Sequence, residues 1–193
     1  MPGVIIFGGA GMESSRPIAL ATLLMATLLA GCGLGQDRKE FERQLEVCAA
    51  GVRNGVLDAA AEGCGGALDI AKENDYPAAD ISDLSYRLGR IERQRGEFEM
   101  SEGLLRESLD FETQSDDAAG IASRLVELSL SLAGQGRWDE GAGLLDRAEP
   151  YLAYLEGAER KAAANTLRGY AARLGDSESA SRFAALALEL DAP

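Results

Sequence analysis

From about residue 38 to residue 190, apolar side chains recur at the spacing of helix faces rather than of strands. Leu125, Leu128 and Leu132 stand at i, i+3 and i+7, one stripe along one side of a helix. Short polar breaks separate such stretches, as at Glu73-Asn74-Asp75-Tyr76-Pro77 and Gln114-Ser115-Asp116-Asp117. Pro77 suits a first helical turn, where its missing N–H goes unused, and Ser115 or Asp116 can cap the helix that follows. The pattern predicts eight helices, near residues 38–53, 57–73, 78–95, 97–112, 118–134, 138–153, 156–173 and 177–190.

The stretches also repeat. GEFEMSEGLLRESL at 96–109 aligns with GRWDEGAGLLDRAE at 136–149, an offset of forty. Gly55 and Gly175 open two further copies of the frame, and Val47, Leu88, Leu128 and Leu167 stand at one fixed distance before each glycine. Small residues recur after it: Ala60, Ser101, Gly141 and Ala180, then Ala67, Ser108, Ala148 and Ala187. A glycine lets the chain reverse between two helices, and small facing residues let helix axes approach closely. One such hairpin cannot bury its own stripe, whereas four stacked hairpins can. An irregular helical bundle is the alternative that these spacings leave open.

Turn glycine, aromatic two residues later (Phe98, Trp138), small residues in the second helix, the pair Leu88-Gly89 and the closing ALELD at 187–191 together resemble the tetratricopeptide repeat (TPR). The resemblance covers roughly residues 38–192. It implies an all-α fold, a right-handed superhelical solenoid of about four antiparallel helix pairs. The period here is 39 to 41 residues rather than the 34 of that family. The first and last units lack the aromatic, having Leu57 and Ser177 instead, which suits end units with one unpaired face. In that family the first helix of each pair lines a concave groove that holds peptides. Tyr86, Arg90 and Arg93, at i, i+4 and i+7, fall on that side, with Glu42, Arg53 and Asn165 in related places. The resemblance makes them a partner-binding groove; the plain alternative is arginines paired with neighbouring Glu and Asp.

Upstream, IALATLLMATLLA at 18–30 is too short for a bilayer span and fits the apolar core of a signal peptide, with Arg16 before it. It ends in Leu29-Ala30-Gly31-Cys32, which resembles the lipobox of bacterial lipoproteins. That resemblance implies a signal peptide over 1–31, acylation at Cys32, a tether over 32–37 and a repeat domain over 38–193. The tether would hold the domain within about 20 Å of the membrane surface, at about 3.3 Å per extended residue. Gly33, rather than aspartate, implies the outer membrane facing the periplasm in a diderm cell; a monoderm source would make this a cell-surface anchor. Residues 1–11, MPGVIIFGGAG, lack G-x-G-x-x-G spacing and a surrounding βαβ unit, and Met12 opens a normal signal onset, which reads them as an over-extended start.

Composition narrows the chemistry. The formal net charge of −13 repels a phosphate backbone, so nucleic acid is not an expected partner. The chain has no histidine, which removes the commonest general base and zinc ligand. No phosphate loop or EF-hand spacing occurs, and the run Glu156, Glu159, Arg160, Lys161 reads as a solvated face. The expectation is no enzyme, no catalytic residue, no metal and no cofactor. Cys48 lies seven residues before Gly55 and Cys64 nine after it, which sets them level on the two helices of the first pair. An exported chain could join them as a disulfide; two small buried thiols are the alternative. Taken together, the sequence describes a membrane-anchored protein-interaction scaffold of the cell envelope, with a chaperone-like factor for exported chains as the alternative.

Overall fold

The computed structural model describes residues 18–192, with side chains from Gln36 onward. The readings on residues 1–17 and on the side chain of Cys32 lie outside these. The chain divides into two units, Met1–Lys39 and Glu40–Pro193. Among the described residues there are eight α-helices and no strand: α1 Ile18–Asn54, α2 Leu57–Glu73, α3 Ala78–Arg95, α4 Phe98–Ser115, α5 Ala118–Gly134, α6 Trp138–Ala148, α7 Gly157–Leu174 and α8 Glu178–Asp191. A 3-10 segment, Glu149–Tyr154, follows α6.

From Glu40 on, the helices form four antiparallel pairs: α1 with α2, α3 with α4, α5 with α6 and α7 with α8. The odd-numbered members are termed A helices below and the even-numbered ones B helices. Each A helix passes to its B helix through a glycine of positive φ: Gly55 at 69°, Gly96 at 87°, Gly136 at 78° and Gly175 at 66°. The residue after three of them closes the helix end by a bond back across five residues. Val56 N–H donates to Gly51 O at 2.9 Å, Glu97 N–H to Glu92 O at 2.9 Å and Arg137 N–H to Leu132 O at 2.9 Å. These bonds satisfy carbonyls that a helix end leaves orphaned, and the left-handed residue makes them possible.

Two of the three return turns use aspartate instead, and the third has Gly157 at φ 51°. Asp75 and Asp116 take positive φ of 51° and 59°, which aspartate tolerates better than most residues. The cap of α5 is neither Ser115 nor Asp116: α4 runs through Ser115, and Asp117 Oδ1 accepts from Ala119 N–H at 3.1 Å. In the third pair the helix expected to reach 153 stops at Ala148. Pro150 has no N–H to give and its ring crowds the carbonyl four residues back, so the chain tightens into the 3-10 segment. At the other end α1 begins at Ile18 rather than 38, so residues 32–37, read as an extended tether, are helical. No proline interrupts the sequence from Ile18 to Asn54.

The eight small positions of the repeat are all buried between helices. Ala60, Ser101, Ala67, Ser108 and Ala148 have no exposure at all. In the first pair Gly51 faces Ala60 and Gly63 faces the Cys48 backbone, with no room for a side chain at either. At that approach Cys48 and Cys64, both fully buried, are joined as a disulfide with Cα atoms 4.8 Å apart.

The apolar core forms two clusters. One joins α1, α2 and α3 through Cys48, Ala60, Ala67, Leu84 and Ile91. The other runs from Leu105 and Leu125 through Leu145 and Leu167 to Phe183. Each fully buried leucine contributes about 2 kcal/mol of transfer free energy. A buried polar seam lies at α3, α4 and α5. Arg124 Nη2 meets Glu112 Oε1 at 3.0 Å and Asp83 Oδ1 at 2.9 Å, while its Nε donates to Ser108 Oγ at 3.0 Å. Ser82 donates to Glu112 at 3.2 Å, and the Ser101 and Ser131 hydroxyls meet at 2.7 Å. Nearly every polar atom here has a partner, which a buried network requires. Arg160, read as part of a solvated face, closes the chain's end: its Nε donates to Leu190 O at 2.6 Å.

Candidate binding groove

Three A helices, α3, α5 and α7, line two neighbouring clefts that share Arg90, Glu127 and Ala162. The larger, of about 400 Å³, brings Arg90 and Arg93 of α3 together with Asn165 of α7. Leu130, Trp138 and Tyr170 form its apolar wall. Tyr86 lines the smaller one, with Ser123 of α5 and Glu159 of α7. Tyr86, Arg90, Arg93 and Asn165, chosen from the repeat frame, therefore share one continuous face. Glu42 and Arg53, on α1, line neither cleft.

The arginines do not stand alone. Arg93 Nε donates to Glu127 Oε2 at 2.9 Å, and Arg90 Nε lies 3.1 Å from Glu127 Oε1. Pairing with a neighbouring carboxylate and lining a groove, posed as alternatives, hold at the same time. The Arg90 Nε contact is an ion pair only, because this buried nitrogen makes no hydrogen bond. Two guanidiniums lie over the Tyr86 ring, with Arg124 Cζ 4.3 Å and Arg90 Cζ 5.5 Å from its centroid. Burial pushes the Tyr86 phenol up to about 12, against a smaller opposing pull from Arg90. At the far end Arg173 covers Trp138 at 5.6 Å, and Asn165 accepts from Arg168 at 2.7 Å.

Charge is distributed unevenly between the two kinds of helix. Every B helix carries more acids than bases, while α3 and α7 carry more bases than acids. In a chain of net charge −13, the larger cleft, with two arginines to one glutamate, is thus a local positive site on an otherwise acidic body. Glu127 was missed from the sequence. Its only trace there is an acid inside the apolar run LVELSLSL, in a helix buried on nearly all sides. Among the described residues no group of three or more His, Cys, Asp or Glu is placed to hold a metal ion, and no helix is long and apolar enough to cross a membrane.

No family model and no curated protein matches this sequence. Solved structures with the same fold include the following two. BtubC (BKLC) from P. vanneervenii is 23% identical, over 74% of this chain and 59% of that one, with a TM-score of 0.63. A Podosopora anserina putative kinesin light chain, described as having nearly identical TPR-like repeats, is 16% identical over 78% of this chain and 74% of that one, with a TM-score of 0.61. The chain spans less than two thirds of the BtubC chain. At these identities the likeness concerns the fold, an all-α solenoid of TPR-like repeats.

Proposed function

We propose that this chain is a protein-interaction scaffold of the bacterial cell envelope, lipid-anchored at Cys32, that holds a protein or peptide segment on the face formed by α3, α5 and α7. The observation that carries the binding half is the cleft itself: two guanidiniums and an apolar wall, gathered on the A-helix side of an acidic molecule. The anchoring half rests on Leu29-Ala30-Gly31-Cys32 after the apolar run. A single lipid chain binds a membrane only marginally, so a stable anchor calls for several chains on that cysteine.

The two halves are tested separately. Cross-linked capture from detergent-solubilised envelopes is expected to recover one defined set of proteins with the wild-type chain. Arg90→Glu with Arg93→Glu, made together with Glu127→Gln so that no buried carboxylate is stranded beside them, is expected to lose that set. Unchanged recovery would overturn the groove. Mass spectrometry of the membrane-bound protein is expected to find an acylated Cys32 as the first residue; an unmodified thiol there would overturn the anchor.

A further inference from the structure

Two guanidiniums and one carboxylate meet at the centre of the larger cleft. Side-chain exposure falls from 41% for Arg90 to 23% for Arg93 and 7% for Glu127. The acid thus lies beneath, and the cations lie toward the opening. Both Arg93 Nε and Nη2 reach Glu127 Oε2, each at 2.9 Å. Glu127 Oε1 lies 3.1 Å from Arg90 Nε, which makes no hydrogen bond. In the lining of the larger cleft two guanidiniums face one carboxylate, a surplus of one positive charge, while Glu159 lines only the adjoining cleft. The opposite wall suits an apolar contact beside them. Leu130 and Trp138 line it, and a side chain added at Gly169 would point into open space.

We infer that the cleft takes one acidic side chain of an extended partner segment, and that Glu127 is a built-in competitor for its place on Arg90 and Arg93. This rests on the binding reading above and gives it a chemistry. A single carboxylate matches the surplus of one charge. A polyanion does not, because beyond the cleft it meets the acidic body. Arg–carboxylate pairing is strong when both N–H donors of a fork are free, and here Glu127 already holds part of each fork. The ligand's carboxylate must share the arginines with it or displace it. Glu127 therefore lowers affinity while keeping the empty cleft from carrying two bare cations. A like charge about 6 Å away in part-solvated surroundings weakens an anion by about tenfold.

The test uses the full chain and two probes. One is a pool of fluorescein-labelled, C-terminally amidated octapeptides with a single fixed central glutamate and only uncharged residues at the degenerate positions; the other is the same pool with glutamine in place of that glutamate. Fluorescence anisotropy is expected to show binding of the glutamate pool alone, weakening as salt rises. Glu127→Gln keeps the shape and one acceptor but removes the charge, and is expected to tighten binding about tenfold. Arg90→Glu with Arg93→Glu is expected to abolish it. If Glu127→Gln folds with nearly wild-type melting but binds no tighter, Glu127 is a structural partner only, and the competitor assignment falls while the groove stands. If neither pool binds, or charge reversal of the arginines changes nothing, the groove reading falls as well. Should Glu127→Gln fail to fold, Glu127→Asp draws the charge back by one methylene and is expected to give a smaller gain in the same direction; no gain overturns the inference.

Discussion

Gly141→Ala tests the close approach on which the repeat depends. Gly141 lies in the first turn and a half of α6, buried, where the frame requires a small residue. A methyl built there collides with the Tyr170 hydroxyl of α7, lies 2.9 Å from Tyr170 Cζ and 3.0 Å from Ser129 O. That hydroxyl donates to Ser129 O at 2.7 Å, and the ring is 1% exposed, wedged between Trp138 and Phe183. Replacing a helical glycine by alanine gains about 1 kcal/mol. Overpacking costs about 1–3 kcal/mol, and a displaced, unpaired hydroxyl about 1–3 kcal/mol more. The net expectation is a loss of about 3 kcal/mol. Tyr170→Phe alone should cost about 1 kcal/mol, the net value of its hydrogen bond. In Gly141→Ala with Tyr170→Phe the worst collision is gone, so the pair should cost about 2 kcal/mol, well under the sum of the singles. Urea unfolding followed by circular dichroism gives these values. Fluorescence of Trp138, the only tryptophan, reports the same neighbourhood from 5.1 Å away. A Gly141→Ala protein as stable as wild type, or a double variant that costs the full sum, would refute the reasoning.

Alkylating the denatured but unreduced protein is expected to leave Cys48 and Cys64 unlabelled, and reduction to cost about 3 kcal/mol for a bridge spanning 16 residues; labelling of both would show the bond absent. Arg124→Met strands the buried Glu112 carboxylate and is expected to cost about 3–5 kcal/mol by urea unfolding; a loss below about 1 kcal/mol would mean the seam carries no weight. The phenols of Tyr86 and Tyr170 are both pushed up to about 12 by burial, from 10.0 in the unfolded chain, so the unfolded state loses these protons first. Stability is then whole below pH 10 and falls as pH rises toward 12, by about 1.4 kcal/mol per unit for each phenol, and a stability profile flat across that window would contradict it.

The helices were legible because their boundaries are written in local chemistry. Gly55, Gly96, Gly136 and Gly175 mark one turn of each pair, and all four take a positive φ that few other residues tolerate. The small positions were legible for a similar reason, since the close approach of two helices excludes bulk. What escaped was decided by competition between neighbouring signals. At the start of α5 three candidate caps stand in a row, and the sequence alone does not say that Ser115 completes α4 and Asp116 takes the turn, leaving the cap to Asp117. In α6 the apolar stripe continues past Pro150, and the missing N–H outweighs the stripe.

The site was half legible for a deeper reason. A repeat frame says which side chains face the groove, because that follows from position on one helix. It does not say what they meet there, because that depends on a helix one repeat away. Arg90 and Arg93 stand on α3, but the carboxylate that holds them stands on α5, thirty-four residues after Arg93. The same holds for Arg160, which looked solvated among its neighbours and in fact ties off carbonyls thirty residues on. In a solenoid the nearest-neighbour interface carries much of the stability, so charges at that interface are the ones a single repeat cannot interpret. Arg124 makes the point within one side chain. It joins Asp83 and Glu112 of the preceding pair, and its guanidinium also packs on Tyr86, which lines the groove. The polar seam and the candidate binding face are therefore one connected structure. A substitution in the seam, remote from any ligand, is expected to reach the cleft through the Tyr86 ring.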